Sequence, residues 1–510
     1  MVCTMNRKYK TSTDRNKGDT AFKAVLLIVI IIIMAGACIY FLSDIILPEE
    51  PSAHNSGSGT GSDPGSDPTH GPEPGDEPGD EPDTGLGHIQ EPDDIILITN
   101  INDNIAVISI GEIDIELSAA LDEESLSHNC AGVSLVVYDG YESLFYTYQY
   151  GSADKASDRL VNTDTKFRIA SLSKFVVAIC AMILVDEGKL DLDADISDYL
   201  GYEVRNPDFP DTAITSRMLM QHTSTIYDSS AFHDSISGSA WVPTRNMLTR
   251  GNSFWDRRPG TAFEYSNFGY TVLGAVIEFA SGMKLDTYAR EVLFEPLDID
   301  ASFLAATLRD TGNIATLYDT DHRVARSVDT QLSNNRTGDL GEDQHLAQGG
   351  LIISAYDYAK ILAMLGNGGV LQNKRILSAD AVAEIHRTDF KGPAYGQGLS
   401  TRFTHGGCPE DDSVEVINDI LIWLYLDMDD IQIPSDGFYW HTGSAYGVYA
   451  QYIYVAGTGT DEGIGGPYTS RGVVVITTGA SSGRASNGMI NVCTHLSSIA
   501  WRGLGFDQQQ

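Results

Sequence analysis

Three short patterns in the sequence contain side chains that could carry out acyl transfer. In the first, Ser171 precedes Lys174 by three residues, so on a helix both side chains lie on one face and the amine can take the hydroxyl proton. The second pattern is Tyr265-Ser266-Asn267, and the third is His441-Thr442-Gly443 with Ser444 directly after it. Together they supply a nucleophile, a nitrogen base, a phenol and polar groups at the start of a predicted strand.

Each pattern alone has a simpler interpretation. S-x-x-K occurs three times, and the copies at 152–155 and 281–284 fall in a polar turn and at a helix end. Ser171 differs because it begins an apolar helix, where the helix dipole favours a developing anion and a low-dielectric surrounding helps keep the amine uncharged. In the simpler interpretation, Ser171 is a helix cap and Lys174 lies in solvent. Tyr265 is then a phenol in the core, and the third pattern is a turn at the start of a strand.

The elements that must position these residues follow from hydrophobic patterning. The order of strand pair, helical block, strands and final helix predicts an α+β domain whose sheet is assembled from both ends of the chain. The predicted elements are a strand-like stretch at 95–110, a helix at 115–129, strands at 131–140 and 143–151, a buried helix ending at Gly188, mainly helices and loops to about 385, strands within 440–480 and a closing helix within 486–504.

Taken together, the three patterns resemble those of the serine β-lactamase-related family, which includes class C β-lactamases, D-alanyl-D-alanine carboxypeptidases and β-lactamase-fold esterases. They occur in the family's order, and phrases such as TDTKFRIASLSK and AQGGLIISAYDYAKIL also resemble it. The resemblance covers roughly residues 115–505. It implies a β-lactamase/transpeptidase-like α+β fold, with an antiparallel sheet flanked by helices and a mostly helical subdomain.

The resemblance also implies catalytic roles. Ser171 would be the nucleophile that forms an acyl-enzyme, and Lys174 would help to deprotonate it. Tyr265 would pass the proton to the leaving group and later activate water. Asn267 would position Lys174 and the substrate amide.

Substrate binding is implied for the third pattern. Backbone N–H groups of Ser171 and Ser444 would form the oxyanion hole, where each donor typically supplies about 2.7–4 kcal/mol. His441 and Thr442, with Gly443 beside them, would line the far end of the substrate. No metal and no cofactor is implied for the reaction, and the 12 His residues show no HExxH spacing.

His441 is a departure that bears on the substrate. Penicillin-hydrolysing members usually carry Lys there, a permanent cation, whereas an ordinary histidine is mostly neutral at pH 7. The pattern therefore favours the peptidase or esterase branch acting on an ester, an amide or a D-amino-acid peptide. Two alternatives stay open: a β-lactamase proper, and a catalytically idle domain that binds peptides. The acidic amphipathic stretch 409–435 could be a lid, a surface helix or a partner-binding segment.

The N-terminal part predicts a membrane anchor and a stalk. Residues 24–43 carry no charge, and 20 residues at about 1.5 Å each span roughly 30 Å, the thickness of a bilayer core. Six basic residues precede this stretch, which places residues 1–23 in the cytoplasm. We predict an anchor at 24–47, a disordered acidic Pro/Gly/Ser linker at 48–94 and the hydrolase domain at 95–510, outside the cytoplasm. A cleaved signal peptide, or lipidation at Cys38, is the competing interpretation.

The composition excludes some partners. With 33 Lys and Arg against 70 Asp and Glu, the net charge of −37 disfavours nucleic acid and anionic lipid surfaces. The resemblance implies a small-molecule or peptide substrate as the partner, and the oligomeric state stays open. Four cysteines follow the anchor, and their spacing selects no disulfide pairing: Cys130, Cys180, Cys408 and Cys493.

Overall fold

The computed structural model describes most of the chain from residue 96 onward. The predicted leader, anchor and linker lie outside the described residues, and so do Cys408 and segment 409–435. No helix in the described ranges is long and apolar enough to cross a membrane. The described residues are 96–101, 104–139, 144–237, 242–250, 253–333, 338–342, 346–390, 397–404, 438–457, 470–484 and 489–504.

The strands in these ranges are two to 11 residues long, and the longest is in the central sheet. The described strands are β1 (Ile96–Ile101), β2 (Asn104–Ser109), β3 (Gly132–Asp139), β4 (Leu144–Asp154), β5 (Arg159–Leu160), β6 (Lys166–Arg168), β7 (Leu317–Tyr318), β8 (Val324–Arg326), β9 (Ile352–Ser354), β10 (Val370–Leu371), β11 (Lys374–Arg375), β12 (Gln397–Gly398), β13 (Thr401–Thr404), β14 (Phe438–Ala445), β15 (Val448–Val455) and β16 (Arg471–Thr478).

The central antiparallel sheet has the order β12-β13-β14-β15-β16-β3-β4-β5. Within this sheet β16 pairs with β3, with Arg471 opposite Asp139 and Thr478 opposite Gly132. A strand from the end of the domain therefore lies beside a strand from its beginning, which confirms the predicted assembly from both ends. The predicted strand-like stretch at 95–110 forms the separate β1–β2 hairpin.

Helices cover both faces of this sheet. The described α-helices are α1 (Ile110–Ser127), α2 (Ser173–Asp186), α3 (Ile196–Leu200), α4 (Ser216–Met220), α5 (Ser230–Ser237), α6 (Thr244–Thr249), α7 (Asn267–Ser281), α8 (Leu285–Ala289), α9 (Val328–Leu332), α10 (Leu346–Gly349), α11 (Ala355–Gly366), α12 (Ala379–His386) and α13 (Asn491–Gly503). A 3₁₀ turn, Ala170–Leu172, lies between β6 and α2.

Alternating side chains of β3 and β16 enter two different cores. Val136 and Val474 pack with α2, α7 and α11 in the large core on one face. Leu135 and Val475 pack on the opposite face with α1 and α13, where Leu121 is fully buried. Because both faces are covered, β3 is apolar along most of its length instead of alternating with polar residues.

The α+β architecture predicted from the sequence is thus confirmed for the described residues. Cys180 lies in the large core as a buried thiol on α2. Cys130 and Cys493 are also buried and free. Among the cysteines that the structure describes, no disulfide forms.

Candidate active site

Ser171 lies in the tight turn that precedes α2. The sequence predicted it as the first residue of the helix, but α2 begins at Ser173, and Ser171 belongs to the 3₁₀ turn Ala170–Leu172. Ala170, the first residue of this turn, has a left-handed φ of 51°, so right-handed helical backbone cannot include it. The Ser173 hydroxyl donates to the Ala170 carbonyl at 2.6 Å and braces the turn. The Ser171 hydroxyl is thereby presented at the end of the helix and not along its side.

Lys174 is buried beneath Ser171 and makes three hydrogen bonds. Its Nζ is 3.2 Å from Ser171 Oγ, 2.8 Å from Asn267 Oδ1 and 2.5 Å from the Gln348 carbonyl oxygen. The side chain has no solvent exposure. Both carbonyl oxygens can only accept, so the amine donates an N–H group to each of them. The remaining position on Nζ faces Ser171 Oγ.

Tyr265 contacts the nucleophile from the open side. Its hydroxyl donates to Ser171 Oγ at 2.9 Å, and the side chain is 40% exposed, so the phenol faces the cleft. The ring is held by His222, whose ring centroid lies 4.4 Å away. His222 is buried and accepts a hydrogen bond from the Ser266 backbone N–H at Nδ1, so it supports the tyrosine as a structural residue.

Asp228 fixes the start of α7 and, with it, Asn267. Its Oδ2 accepts from Asn267 Nδ2 at 2.8 Å, and its Oδ1 accepts from the Phe268 backbone N–H at 2.8 Å and from the Ser266 hydroxyl. A carboxylate only accepts, so Nδ2 of the amide must face Asp228 and Oδ1 must face Lys174. Asp228 therefore determines which end of Asn267 meets the amine.

The third pattern forms the part of β14 nearest to the nucleophile. In the described ladder, β13 pairs with Phe438 to Trp440, whereas 441–445 pair with β15 alone. Gly443 lies against the nucleophile turn, and a Cβ there would be 2.3 Å from the Ile169 carbonyl oxygen. Only glycine lets the strand approach so closely. His441 is buried, and its Nδ1 is 2.8 Å from the Thr442 carbonyl oxygen.

These elements surround a cleft of about 470 Å³. Ser171, Tyr265, Asn267, His441, Thr442 and Ser444 all line it, while Lys174 and Gly443 contact its lining residues. The structure therefore brings all eight residues singled out in the sequence to one place.

Arginine side chains give the cleft a cationic rim in an acidic protein. Arg484 lines the cleft and donates to Thr442 Oγ1 at 3.1 Å. Arg168 and Arg326 lie over the Tyr446 ring, at 5.1 and 4.2 Å from its centroid. Burial alone would raise the pKa of Tyr446, but the two guanidinium groups outweigh it and lower that pKa. This wall of the cleft favours negative charge.

Sequence reasoning missed four contributors to this site: Asp228, the Gln348 carbonyl, Arg168 and Arg484. None of them belongs to one of the three patterns. The backbone carbonyl leaves no trace in residue types, whereas Arg168 stands three residues before Ser171 and could have been considered. Asp228 and Arg484 reach the site only through the tertiary fold.

A family model described as Beta-lactamase matches residues 116–489, a stretch that contains every residue of the cleft. The chain belongs to this family. The esterase EstB of Burkholderia gladioli is 29% identical over 203 residues, which are 37% of this chain and 51% of the esterase. Penicillin-binding protein 4 of Amycolatopsis lactamdurans is 26% identical over 346 residues, which are 65% of this chain and 79% of that protein. The chain thus matches about half of the esterase's length.

Solved structures of the family share the fold at low sequence identity. A class C beta-lactamase in complex with cefoxitin is 18% identical with a TM-score of 0.54, covering 77% of this chain and 99% of that one. A penicillin-binding protein homologue from Pyrococcus abyssi, described as octameric, is 19% identical with a TM-score of 0.54 over 78% of each chain. These likenesses establish the β-lactamase/transpeptidase-like fold.

Proposed function

We propose that this chain is a serine hydrolase that works through an acyl-enzyme on Ser171. The observation that carries the proposal is the convergence of Lys174 Nζ and Tyr265 Oη on the Ser171 hydroxyl, at 3.2 and 2.9 Å. A nucleophile with a base and a proton donor within hydrogen-bond reach is the arrangement that nucleophilic catalysis requires. Membership of the Beta-lactamase family supports the same chemistry.

Acylation would begin when the Lys174 lone pair takes the Ser171 proton. The serine oxygen attacks the substrate carbonyl carbon, and the resulting oxyanion is received by the backbone N–H groups of Ser171 and Ser444. Tyr265 donates its proton to the leaving group as the bond to the carbonyl carbon breaks. Lys174 returns a proton to Tyr265 through the same hydrogen-bonded cluster, which leaves an ester on Ser171.

Deacylation would run through the same residues in reverse order. Tyr265 first passes its proton to Lys174. It then takes a proton from a water in the exposed part of the cleft, and the water oxygen attacks the ester carbon. The proton then passes to Ser171 Oγ as the ester bond breaks. The exposure of Tyr265 supports this step, because the water must approach the phenol from solvent.

We propose further that the substrate carries a carboxylate. Arg484 lines the cleft and is oriented by its hydrogen bond to Thr442 on β14. A guanidinium held in this way can pair with a carboxylate through charge-assisted hydrogen bonds. The C-terminus of a D-amino-acid peptide meets this requirement, and a penicillin carboxylate meets it too. A neutral ester uses the catalytic groups but leaves Arg484 without an anionic partner from the substrate.

The first experiment tests the nucleophile. Ser171→Ala should abolish labelling by a fluorescent active-site serine probe. Ser152→Ala, which alters a serine in another S-x-x-K sequence, is the matched control and should label like the wild type. Labelling that persists in Ser171→Ala would reject the mechanism. Loss of signal in both variants would point to unfolding, which a circular dichroism spectrum detects.

The second experiment separates the substrate classes. Turnover of a D-alanyl-D-alanine peptide, a fluorescent penicillin and a short-chain nitrophenyl ester should be compared on the same preparation. Peptide turnover supports the carboxypeptidase branch, ester turnover alone supports the esterase branch, and rapid penicillin hydrolysis supports a β-lactamase. Absence of turnover and of any covalent adduct, with the fold intact, would favour the idle binding domain.

We also propose that the catalytic domain is held outside the cytoplasm by a single helix within 24–47 and the linker 48–94. The support is the uncharged stretch, the basic residues before it and the acidic Pro/Gly composition after it. Membrane pellets washed with alkaline carbonate should retain the chain, and protease added to intact cells should release the domain. Recovery of the chain in the soluble cytoplasmic fraction would refute this topology.

A further inference from the structure

Three metal-binding side chains converge on the face of the domain formed by the first and last described helices. Glu124 lies near the end of α1, His128 follows that helix, and His495 lies on α13. Glu124 Oε1 is 3.0 Å from His128 Nε2 and 2.9 Å from His495 Nδ1, and the two ring nitrogens are 3.4 Å apart. None of the three lines the cleft described above.

One of the ligands is oriented by the backbone. His128 Nδ1 is 2.9 Å from the Ser481 carbonyl oxygen, which can only accept, so Nδ1 carries the hydrogen. Nε2 of the neutral ring therefore presents its lone pair to Glu124 and His495. The Ser481 N–H also donates to the His128 carbonyl at 2.7 Å, which holds the residue from both sides. A hydrogen bond from the distal ring nitrogen to a carbonyl is the usual support of a metal-ligating histidine.

The cluster is built to hold positive charge. A carboxylate oxygen and two ring nitrogens face one point, and they repel one another unless a proton or a cation lies between them. A metal ion bound to all three atoms would remove this repulsion.

The spacing of the three atoms fits a four-coordinate ion. Zinc lies about 2.0–2.1 Å from His nitrogen and carboxylate oxygen, so the ligand atoms of a tetrahedral site are about 3.3 Å apart. The observed separations are 2.9, 3.0 and 3.4 Å. An ion at zinc distances from all three would lie about 1 Å out of their plane. The side chains are 19–41% exposed, which leaves a path for the ion and room for a fourth ligand.

We propose that Glu124, His128 and His495 form a binding site for a divalent transition-metal ion, with Zn²⁺ preferred and a water in the fourth position. Two imidazoles and one carboxylate suit zinc and its neighbours in the first transition row, whereas Ca²⁺ and Mg²⁺ prefer oxygen ligands. The ion joins α1 to α13. No short motif reveals this site, because His495 stands 367 residues after His128.

The experiment measures zinc binding by the full chain after chelator treatment. Isothermal titration with Zn²⁺ should show one more tightly bound equivalent for the wild type than for His495→Ala. In the variant, the zinc affinity of this site should fall more than 100-fold, because loss of an outer-shell contact alone typically lowers metal affinity ~10–100-fold. Co²⁺ should give the intense visible bands of a four-coordinate site in the wild type and lose them in the variant. Zn²⁺ should also raise the melting temperature of the wild type but not that of His495→Ala.

A surface histidine provides the matched control. His233→Ala removes an exposed imidazole outside the cluster and should keep the zinc equivalent and the cobalt bands. Glu124→Gln keeps the shape of the carboxylate but removes its charge, so zinc binding should weaken. This conservative variant tests the site even if His495→Ala misfolds. Equal stoichiometry in the wild type, His495→Ala and Glu124→Gln, or a melting temperature indifferent to Zn²⁺, would overturn the proposal and leave a cluster that binds only a proton.

Discussion

Gly443 faces the carbonyl oxygen of Ile169 so closely that the strand and the nucleophile turn are in backbone contact. A Cβ at this position would lie 2.3 Å from that oxygen and 3.3 Å from the Leu172 backbone nitrogen. Both neighbours are backbone atoms of the turn that carries Ser171, so neither can rotate away as a side chain could. The distance between β14 and the nucleophile is therefore set by the absence of a side chain at one residue.

The first prediction follows from this contact. Gly443→Ala should force β14 away from the turn and lower the rate of covalent labelling at Ser171 by about 100-fold or more, because a displacement near 1 Å costs that much in a positioned reaction. Stopped-flow or gel-based labelling measures the rate. Gly483→Ala is the control, because its Cβ would meet nothing closer than 3.5 Å. Equal labelling by the two variants would mean that the contact does not position the site.

Asp228 should act on the reaction through Asn267. Asp228→Asn replaces an acceptor by a group that can also donate, so Asn267 can turn its amide and lose the hydrogen bond to Lys174. We expect labelling to fall about tenfold and its pH profile to shift, with about 1 kcal/mol of stability lost at the start of α7. Ser327→Ala removes the cap of α9 and should cost similar stability without moving the pH profile. An unchanged profile in Asp228→Asn would limit the aspartate to a structural role.

Arg484 should discriminate between charged and neutral substrates. Arg484→Gln removes the cation at the rim while keeping a donor for Thr442, so kcat/KM for a carboxylate-bearing peptide should fall about 10- to 100-fold, the equivalent of one charge-assisted hydrogen bond. Turnover of a neutral nitrophenyl ester should stay within about twofold. Arg323→Gln is the control, because it makes the same replacement at an exposed arginine that does not line the cleft. Equal losses for both substrates would assign Arg484 to the architecture of β14 instead.

Acid should destabilise the domain through His386. This ring packs against Tyr439, bonds to the Tyr454 hydroxyl at 2.8 Å, and burial lowers its pKa from 6.5 to about 4. The unfolded chain then binds a proton below pH 6.5 that the folded chain does not, so the free energy of unfolding should decrease as the pH falls from 6.5 towards 4. His386→Gln should flatten this part of the profile in urea denaturation at several pH values. An identical slope in the variant would assign the acid sensitivity to other groups.

The catalytic residues could be predicted because each stands in a short pattern of its own. The three patterns lie far apart in the chain, and recognising them together required no distance information. Ser171 was nevertheless placed in the helix, since apolar periodicity runs through 170–186 and does not reveal the left-handed φ of Ala170. The assembly of the sheet from both ends of the domain could also be predicted, because strand patterns occur at both ends, whereas the order of the strands was not predicted.

The supporting contacts could not be predicted in the same way. Asp228 reaches Asn267 from a loop without a pattern of its own, and Gln348 contributes a backbone carbonyl that any residue could supply. Residues that act through the tertiary fold carry no local signal. The cluster around His128 belongs to the same class, because its third member lies on the closing helix.

The pairing of β3 with β16 has a consequence for how the chain acquires its structure. Residues 132–139 are hydrogen-bonded to 471–478, so this pairing closes a loop of more than 300 residues. Such a loop costs entropy that contacts recover only once both strands are present, which makes folding slow. During synthesis, β3 and β4 emerge long before β16, which pairs with β3 alone of the two. Until β16 is present, one edge of β3 has no strand beside it, and an unpaired strand edge of this kind promotes aggregation.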